Sequence, residues 1–445
     1  MNEFLKKLMN AAKAEGIEAC EAYIVERDSF RAMVTDGDVT EYNTNATKGL
    51  GFRGMKDGKM GYSSTEAFDD NAVEQLVRGV VESAELSEDD DPVFLYDGNT
   101  ETPKLDLTND ELYNLDPYEK IARVQAMEKA IKAYDERIDK AARNMIQTGR
   151  YTIRIINSYG MDRSFTEDSC VMYGQATAKQ EGHIATGFFG RGGRSFELLD
   201  AQLIGSEVAK SAVEKLGAEQ IPSGRYRVII HRDAMVDLLE TFSGIFSAET
   251  AQKGLSLLKG RLGETIAAEC VTIIDDPLLL DGLDARPFDA EGVPSKAHTV
   301  VENGVFKTFL HNLKTAHKDG VETTGNASKA GYASSVHVSP SNFFIRGGHK
   351  SFEELLTEMD TGVVITEVSG LHAGANPVSG DFSLLSKGYM VQNGKREKAV
   401  EQITVAGNFY DLLKNARAMA DDMAFPLGSM GSPSIDVGEL SISGC

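Results

Sequence analysis

Apolar residues recur at three- and four-residue steps at Phe4, Leu5, Leu8 and Ala12, which predicts a helix over residues 3–15 with one buried face and a left-handed cap at Gly16. The period then shortens. Residues 22–27, 30–35 and 49–64 are rich in β-branched and aromatic side chains, and Lys56-Asp57-Gly58 places a hairpin turn inside the last run, so a small antiparallel sheet is expected. Val73, Leu76, Val77, Val80, Val81 and Ala84 restore the helical period and give a helix to cover that sheet. Asp116 and Pro117, a capping acid followed by proline at the first helical position, start another helix with Ile121, Val124, Met127, Ile131 and Tyr134 on its core side.

Strand-like runs extend over residues 140–189, turning at Asn157-Ser158-Tyr159-Gly160, before a third helix marked by Leu199, Leu203, Ala209, Ala212 and Leu216. The linker at 217–224, with Pro222 and Ser223, is the main boundary. Beyond it a strand at 226–230 runs directly into a helix that uses Met235, Leu238, Leu239 and Phe242. Over 270–341 and 362–383, short apolar runs alternate with glycine, asparagine and proline turns, interrupted later by a helix near 408–419. The fold class is therefore α+β. An N-terminal α+β domain of sheet and helices over 1–220, with subregions 1–90 and 112–217 joined by an acidic loop, precedes a β-rich C-terminal domain over 222–445.

Composition narrows the function classes. A chain of 445 residues with 41% hydrophobic and 26% charged residues is an ordinary folded protein, and its net charge of −22 opposes direct contact with nucleic acid or an anionic membrane surface. Residues 82–119 hold thirteen acids and a single base, Lys104, as a solvated loop does. Four scattered cysteines make neither a disulfide framework nor a paired-thiolate zinc site. The start of the chain lacks the apolar run of a signal peptide, and no window approaches the ~18 apolar residues of a membrane span, so a cytoplasmic location is expected.

Local chemistry alone points to few sites. Among eight histidines the nearest pair, His311 and His317, is six apart and diverges on a helix, and no G-x-S-x-G nucleophile elbow occurs. The glycines of Gly190-Arg191-Gly192-Gly193 suit a strand-to-helix turn better than an anion cradle. Asp275-Asp276 and the Asp289/Glu291 pair are carboxylates that suit acid–base chemistry or turn formation. Asn326, Asn376, Gly380 and Asp381 lie in turn-rich polar loops of the kind that form a peptide-binding cleft, and Asp289 and Glu291 are assigned to the same cleft.

Larger segments carry more. GLGFRGMKDGKMGYSST, IPSGRYRVIIH, IDDPLLLDG, DAEGVPSKAHTVVENGVFKTFLHN, TTGNAS, GANPVSGDFSLLSKGYMVQNGK, ITVAGN and PSIDVGELSISG, in this order and spacing, resemble the TldD/PmbA family, the "modulator of DNA gyrase" proteins, across nearly the whole chain. In that family the TldD-type subunit resembles a metallopeptidase with an H-E-x-x-x-H motif at a strand-to-helix junction and a later cysteine as zinc ligands. The resemblance places His231 at the first ligand, Arg232 at the glutamate, Val236 at the second histidine and Met430 at the cysteine. These positions are degenerate, since arginine is no base and a thioether is a poor zinc ligand.

The resemblance therefore implies the PmbA/TldE type, with no catalytic residue and no cofactor of its own. Zinc is then expected in a TldD-type metallopeptidase partner, with which this chain guides unfolded peptides to degradation or trimming, and a homodimer is allowed when that partner is absent. Two other readings stay open. One is an independently active peptidase or hydrolase that uses loop carboxylates such as Asp289, Glu291 and Asp381. The other is a non-proteolytic modulator that binds DNA gyrase.

Overall fold

The computed structural model describes residues 1–87 and 94–445. In the N-terminal half, α1 (Asn2–Ala14) leads into three strands, β1 (Ala19–Thr35), β2 (Asp38–Lys56) and β3 (Lys59–Thr65), and then α2 (Asp70–Glu85). The helices α3 (Asp110–Asn114) and α4 (Pro117–Tyr134) precede three further strands, β4 (Ile138–Asn157), β5 (Asp162–Gln180) and β6 (His183–Gly193), with α5 (Ala201–Val213) closing the half. All six strands form one antiparallel sheet in the order β3-β2-β1-β4-β5-β6, so subregions 1–90 and 112–217 share a single sheet in which β1 pairs with both β2 and β4.

The strands are longer than the apolar runs that announce them. Polar Asp28 and Ser29 separate the expected strands at 22–27 and 30–35, yet β1 passes through them unbroken, because Ser29 is paired with Asn45 on one side and Gly149 on the other. Turn chemistry is kept: Gly16 at φ 77° follows α1, and Asp57 and Gly58, at φ 51° and 76°, make the tight β2–β3 hairpin. Within the expected acidic loop, residues 88–93 lie outside the described residues. The remainder is docked rather than free: Leu107 is buried, its carbonyl accepts from Asp168 N at 2.9 Å, and Asp110 opens α3.

The pleat of β1 sorts its residues cleanly. Ala22, Ile24, Phe30, Ala32 and Val34 face α1, α2, α4 and α5, whereas Tyr23 and Val25 pack with Phe288, Ala290 and Ala327 of the C-terminal half. A strand buried on both faces reads as continuous hydrophobicity without alternation.

The C-terminal half begins with β7 (Gly224–Ile230), α6 (Arg232–Phe242), α7 (Ala248–Gln252), β8 (Ile273–Asp275), β9 (His298–Glu302) and β10 (Val305–Phe306). It continues through α8 (Leu313–Asp319), β11 (Ala327–Ser328), β12 (His337–Val338), β13 (Phe343–Ile345), α9 (Phe352–Met359), β14 (Gly362–Ser369) and α10 (Leu371–Gly374). The last elements are β15 (Asp381–Gln392), β16 (Lys395–Asn408), α11 (Phe409–Asn415), β17 (Ala418–Met419), β18 (Met430–Gly431) and β19 (Ile435–Ser443). Strands β16-β15-β14-β7-β19 run side by side, and β19 pairs back onto β16 through Thr404 and Ser443, which closes a five-stranded ring and removes its edges. A second sheet, β10-β9-β8-β13-β18, packs into the same continuous core as Met235, Leu238, Leu239 and Phe242 of α6. The architecture is α+β, with a β-rich C-terminal region. Among the described residues no helix is long and apolar enough to cross a membrane.

Candidate functional site

The junction of β7 and α6 positions the residues that the sequence resemblance singles out. Strand β7 pairs in parallel with β14, and His231 N donates to Ile365 O at 2.8 Å, so the chain leaves the sheet at a fixed point. His231 caps α6: its Nδ1 accepts from Asp233 N at 3.4 Å and lies 3.4 Å from Asp233 Oδ2, while the ring meets Phe352 edge-on at 5.8 Å. Burial raises the Asp233 carboxyl, but the neighbouring His231 and Arg232 outweigh it and hold that carboxyl below its usual range.

Arg232 is tied down. Its backbone N donates to Ser434 Oγ at 3.0 Å and its Nη1 to Asp422 O at 3.1 Å, while the Asp422 carboxylate takes both Ser434 N and Ser434 Oγ at 2.8 Å. Val236 is buried one turn further along α6. Met430 sits in β18, which pairs with β13 and lies against α6. One capping imidazole, a guanidinium, a valine and a thioether are a poor donor set for zinc. Among the described residues, no three His, Cys, Asp or Glu side chains converge in a metal-binding group.

The polar residues assigned to a peptide cleft fall into two separate places. Asp289, Glu291 and Asn326 are buried, with their side-chain atoms engaged. Asp289 Oδ1 accepts from the backbone N–H groups of Glu291 and Val293 and its Oδ2 from that of Ala327, all at 2.9 Å, so this carboxylate folds its own loop. Asn326 donates to Asp275 Oδ2 at 2.7 Å and accepts from Thr324 Oγ1 at 2.6 Å, while Asp275 Oδ1 takes Ser341 N at 2.6 Å. Asn376 and Gly380 form the turn that leads into β15, whose first residue is Asp381. There Asn376 Oδ1 accepts from Val378 N and Ser379 N, Gly380 takes φ 82° against the Tyr410 ring, and Asp381 Oδ1 accepts from Asn408 Nδ2 at 2.9 Å. Asn376 and Asp381 are exposed, so of the six only this pair presents polar groups outward.

A polar seam between the halves carries chemistry that the sequence does not announce. On β2, odd-numbered Gly49, Gly51 and Arg53 face the C-terminal half, while Leu50, Phe52 and Gly54 face the helices. Arg53 Nε donates to Glu21 Oε1 at 2.8 Å and Nη1 to Glu291 Oε1 at 3.4 Å, and all three side chains are at most 5% exposed. The Glu291 carboxylate also takes Leu313 N at 2.9 Å, which caps α8. Beside this triad Lys329 holds its ammonium 4.6 Å from the Tyr23 ring, and burial together with the Arg53 charge pulls its pKa down to about 8. A charged residue continuing a glycine-bearing strand face is the one signal that would have singled out Arg53.

Burial also fixes how stability responds to pH. It pushes Asp275 up to about 6 and Glu167 up to about 7, and it raises both Asp289 and Glu291. The folded chain therefore keeps protons that the unfolded chain releases above the ordinary carboxylate range. The stability these groups contribute is full at low pH and lost as pH rises through 6 to 7. Desolvation pushes half-buried His298 and buried His311 down, and they act with the opposite sign. Urea unfolding is expected to give a free energy ~2–4 kcal/mol higher near about pH 5 than near about pH 8.

Comparison with known proteins fits this geometry. The PmbA/TldA metallopeptidase family models match as domain 1 over residues 20–84, central domain over 110–216 and C-terminal domain over 223–444. An uncharacterised protein of Methanocaldococcus jannaschii is 31% identical over 97% of this chain and 98% of its own. A metalloprotease PmbA homologue of Haemophilus influenzae is 28% identical over 94% and 90%. The crystal structure of a Thermotoga maritima protein described as a candidate modulator of a DNA gyrase superposes with a TM-score of 0.92 at 35% identity, covering 99% of this chain and 100% of that one. TldE from Thermococcus kodakarensis, at 22% identity and a TM-score of 0.91 over 99% and 100% of the two chains, shares the fold. Matched in all three domains and aligned end to end with such relatives, the chain belongs to the PmbA/TldA metallopeptidase family.

Proposed function

We propose that this chain is the substrate-guiding, non-catalytic subunit of a cytoplasmic TldD/TldE-type metallopeptidase that degrades or trims unfolded peptides. Arg232 carries the proposal. By the resemblance it stands where the family motif has its general base, a guanidinium is no base, and the Asp422 carbonyl holds its side chain while Ser434 Oγ holds its backbone N–H. A fixed positive charge beside His231 also repels a metal ion. Zinc and proton transfer then belong to a TldD-type partner bearing the intact H-E-x-x-x-H motif, and the chain pairs with itself when that partner is absent. The net charge of −22 supports peptides rather than nucleic acid as the ligand.

Metal analysis of the untagged chain purified alone is expected to find far less than one zinc per chain. An unstructured peptide is expected to survive incubation with it, and adding a family member with the intact motif should bring chelator-sensitive cleavage. Stoichiometric zinc with chelator-sensitive cleavage by the chain alone would overturn the proposal.

A further inference from the structure

A cavity of about 540 Å³ opens in the N-terminal half, well away from the β7–α6 junction in the fold, where β1, β2 and β4 run side by side under α3 and α4. Its walls are mixed. Phe30, Leu112 and Tyr113 supply apolar surface, Thr44 and Thr148 supply hydroxyls, and Asp28, Lys120 and Arg150 bring charge.

Arg150 is already paired with carboxylates, and Asp28 accepts one hydrogen bond from a neutral hydroxyl. Asp28 Oδ2 accepts from Tyr113 Oη at 3.0 Å, and Arg150 forks onto Asp168 at 2.8 and 2.7 Å and reaches Asp110 at 2.8 Å, with its guanidinium 3.8 Å from the centre of the Tyr113 ring. Lys120 differs. It is 5% exposed and its ammonium lies 5.1 Å from the Phe30 ring centre, and among the described residues it has no hydrogen-bond acceptor and no ion-pair partner. Desolvation outweighs the attraction of the Asp116 carboxylate and pulls this lysine below its usual pKa. Mixed walls with one unpaired cation beside the apolar surface of Phe30, Leu112 and Tyr113 are what a small-molecule pocket of this size offers to an anion with an apolar body.

We propose that this cavity binds small amphipathic monocarboxylates, with the carboxylate on the Lys120 ammonium and the apolar body between Phe30, Leu112 and Tyr113. A single free cation selects a monoanion over a phosphate. The same chemistry is carried by a free acid and by the C-terminal residue of a peptide.

Calorimetric titration of the full chain with 3-phenylpropionate, its neutral amide, and the tetrapeptide Ala-Ala-Ala-Phe tests the proposal. The acid is expected to bind at least ~10-fold more tightly than the amide, and Lys120→Gln to remove that difference. Tetrapeptide binding as tight as that of the free acid assigns the site to peptide C-termini, and binding of the acid alone assigns it to free acids. Should Lys120→Gln fail to fold, protection of Lys120 from reductive methylation by the acid in the unmodified chain gives the same information. Equal affinity for acid and amide, no saturable binding of the acid up to ~10 mM, or an unprotected Lys120 would each overturn the assignment.

Discussion

Replacing Arg53 by methionine is expected to lower the unfolding free energy by ~3–5 kcal/mol, because it strands two buried carboxylates. Arg53 is the only ion-pair partner of Glu21 and Glu291 among the described residues, and all three side chains are nearly inaccessible to water. Methionine fills similar volume, so the loss is electrostatic and not a cavity. The triad spans the halves: Glu21 and Arg53 lie on the first sheet, and Glu291 lies in the loop that also caps α8. The mutant is therefore expected to loosen the seam between the halves as well as the fold.

Adding Glu21→Leu to Arg53→Met should recover part of the loss. Among the described residues the Glu21 side chain bonds only Arg53, and its Oε2 is buried without a partner. Glu291→Leu should not recover it, because the α8 N–H at Leu313 then loses its acceptor. Urea midpoints of the three variants separate these cases. The single mutant should also gain stability on acidification more steeply than the parent, since protonation is the remaining way to neutralise Glu291.

The elements of this fold were largely legible, and their partners were not. The helix over residues 3–15, the Asp57-Gly58 turn and the Asp116-Pro117 start all rest on local chemistry, and each appears as α1, the β2–β3 hairpin and the first turn of α4. Strand length was hidden because Asp28 and Ser29 are polar, and only pairing on both sides keeps them extended. The closed ring of β7, β14, β15, β16 and β19 depends on contacts between residues 224 and 443, which no local pattern encodes. The site divides the same way. The resemblance puts His231 at a strand-to-helix junction, and there it caps α6, whereas the Asp422–Ser434 clamp on Arg232 comes from a segment about 200 residues later. Asp289 and Asn326 look like cleft residues in a string of turn formers, yet three backbone N–H groups surround Asp289 and bury it.

The glycines of GLGFRG take their meaning from the same seam. Gly51→Ala is expected to cost ~3 kcal/mol or more, because the new Cβ would stand 1.8 Å from the carbonyl oxygen of Tyr332, in the loop between β11 and β12 that lies across β2. The obstacle is backbone, so no rotamer change relieves it, and either β2 or the loop must move. Gly49→Ala meets instead the Tyr332 ring, at 2.1 Å from Cε1. Tyr332→Ala should thus rescue Gly49→Ala, less the bond from Tyr332 Oη to Glu66 at 2.5 Å, and leave Gly51→Ala as impaired as before. Gly331→Ala, with nothing within 4 Å of its Cβ, is the control and should stay within ~0.5 kcal/mol of the parent. Thermal unfolding with limited proteolysis after Lys329 reads both quantities. Equal rescue of both glycine variants would mean that the loop moves as a unit, and the close approach at Gly51 would then not be what holds the halves in register.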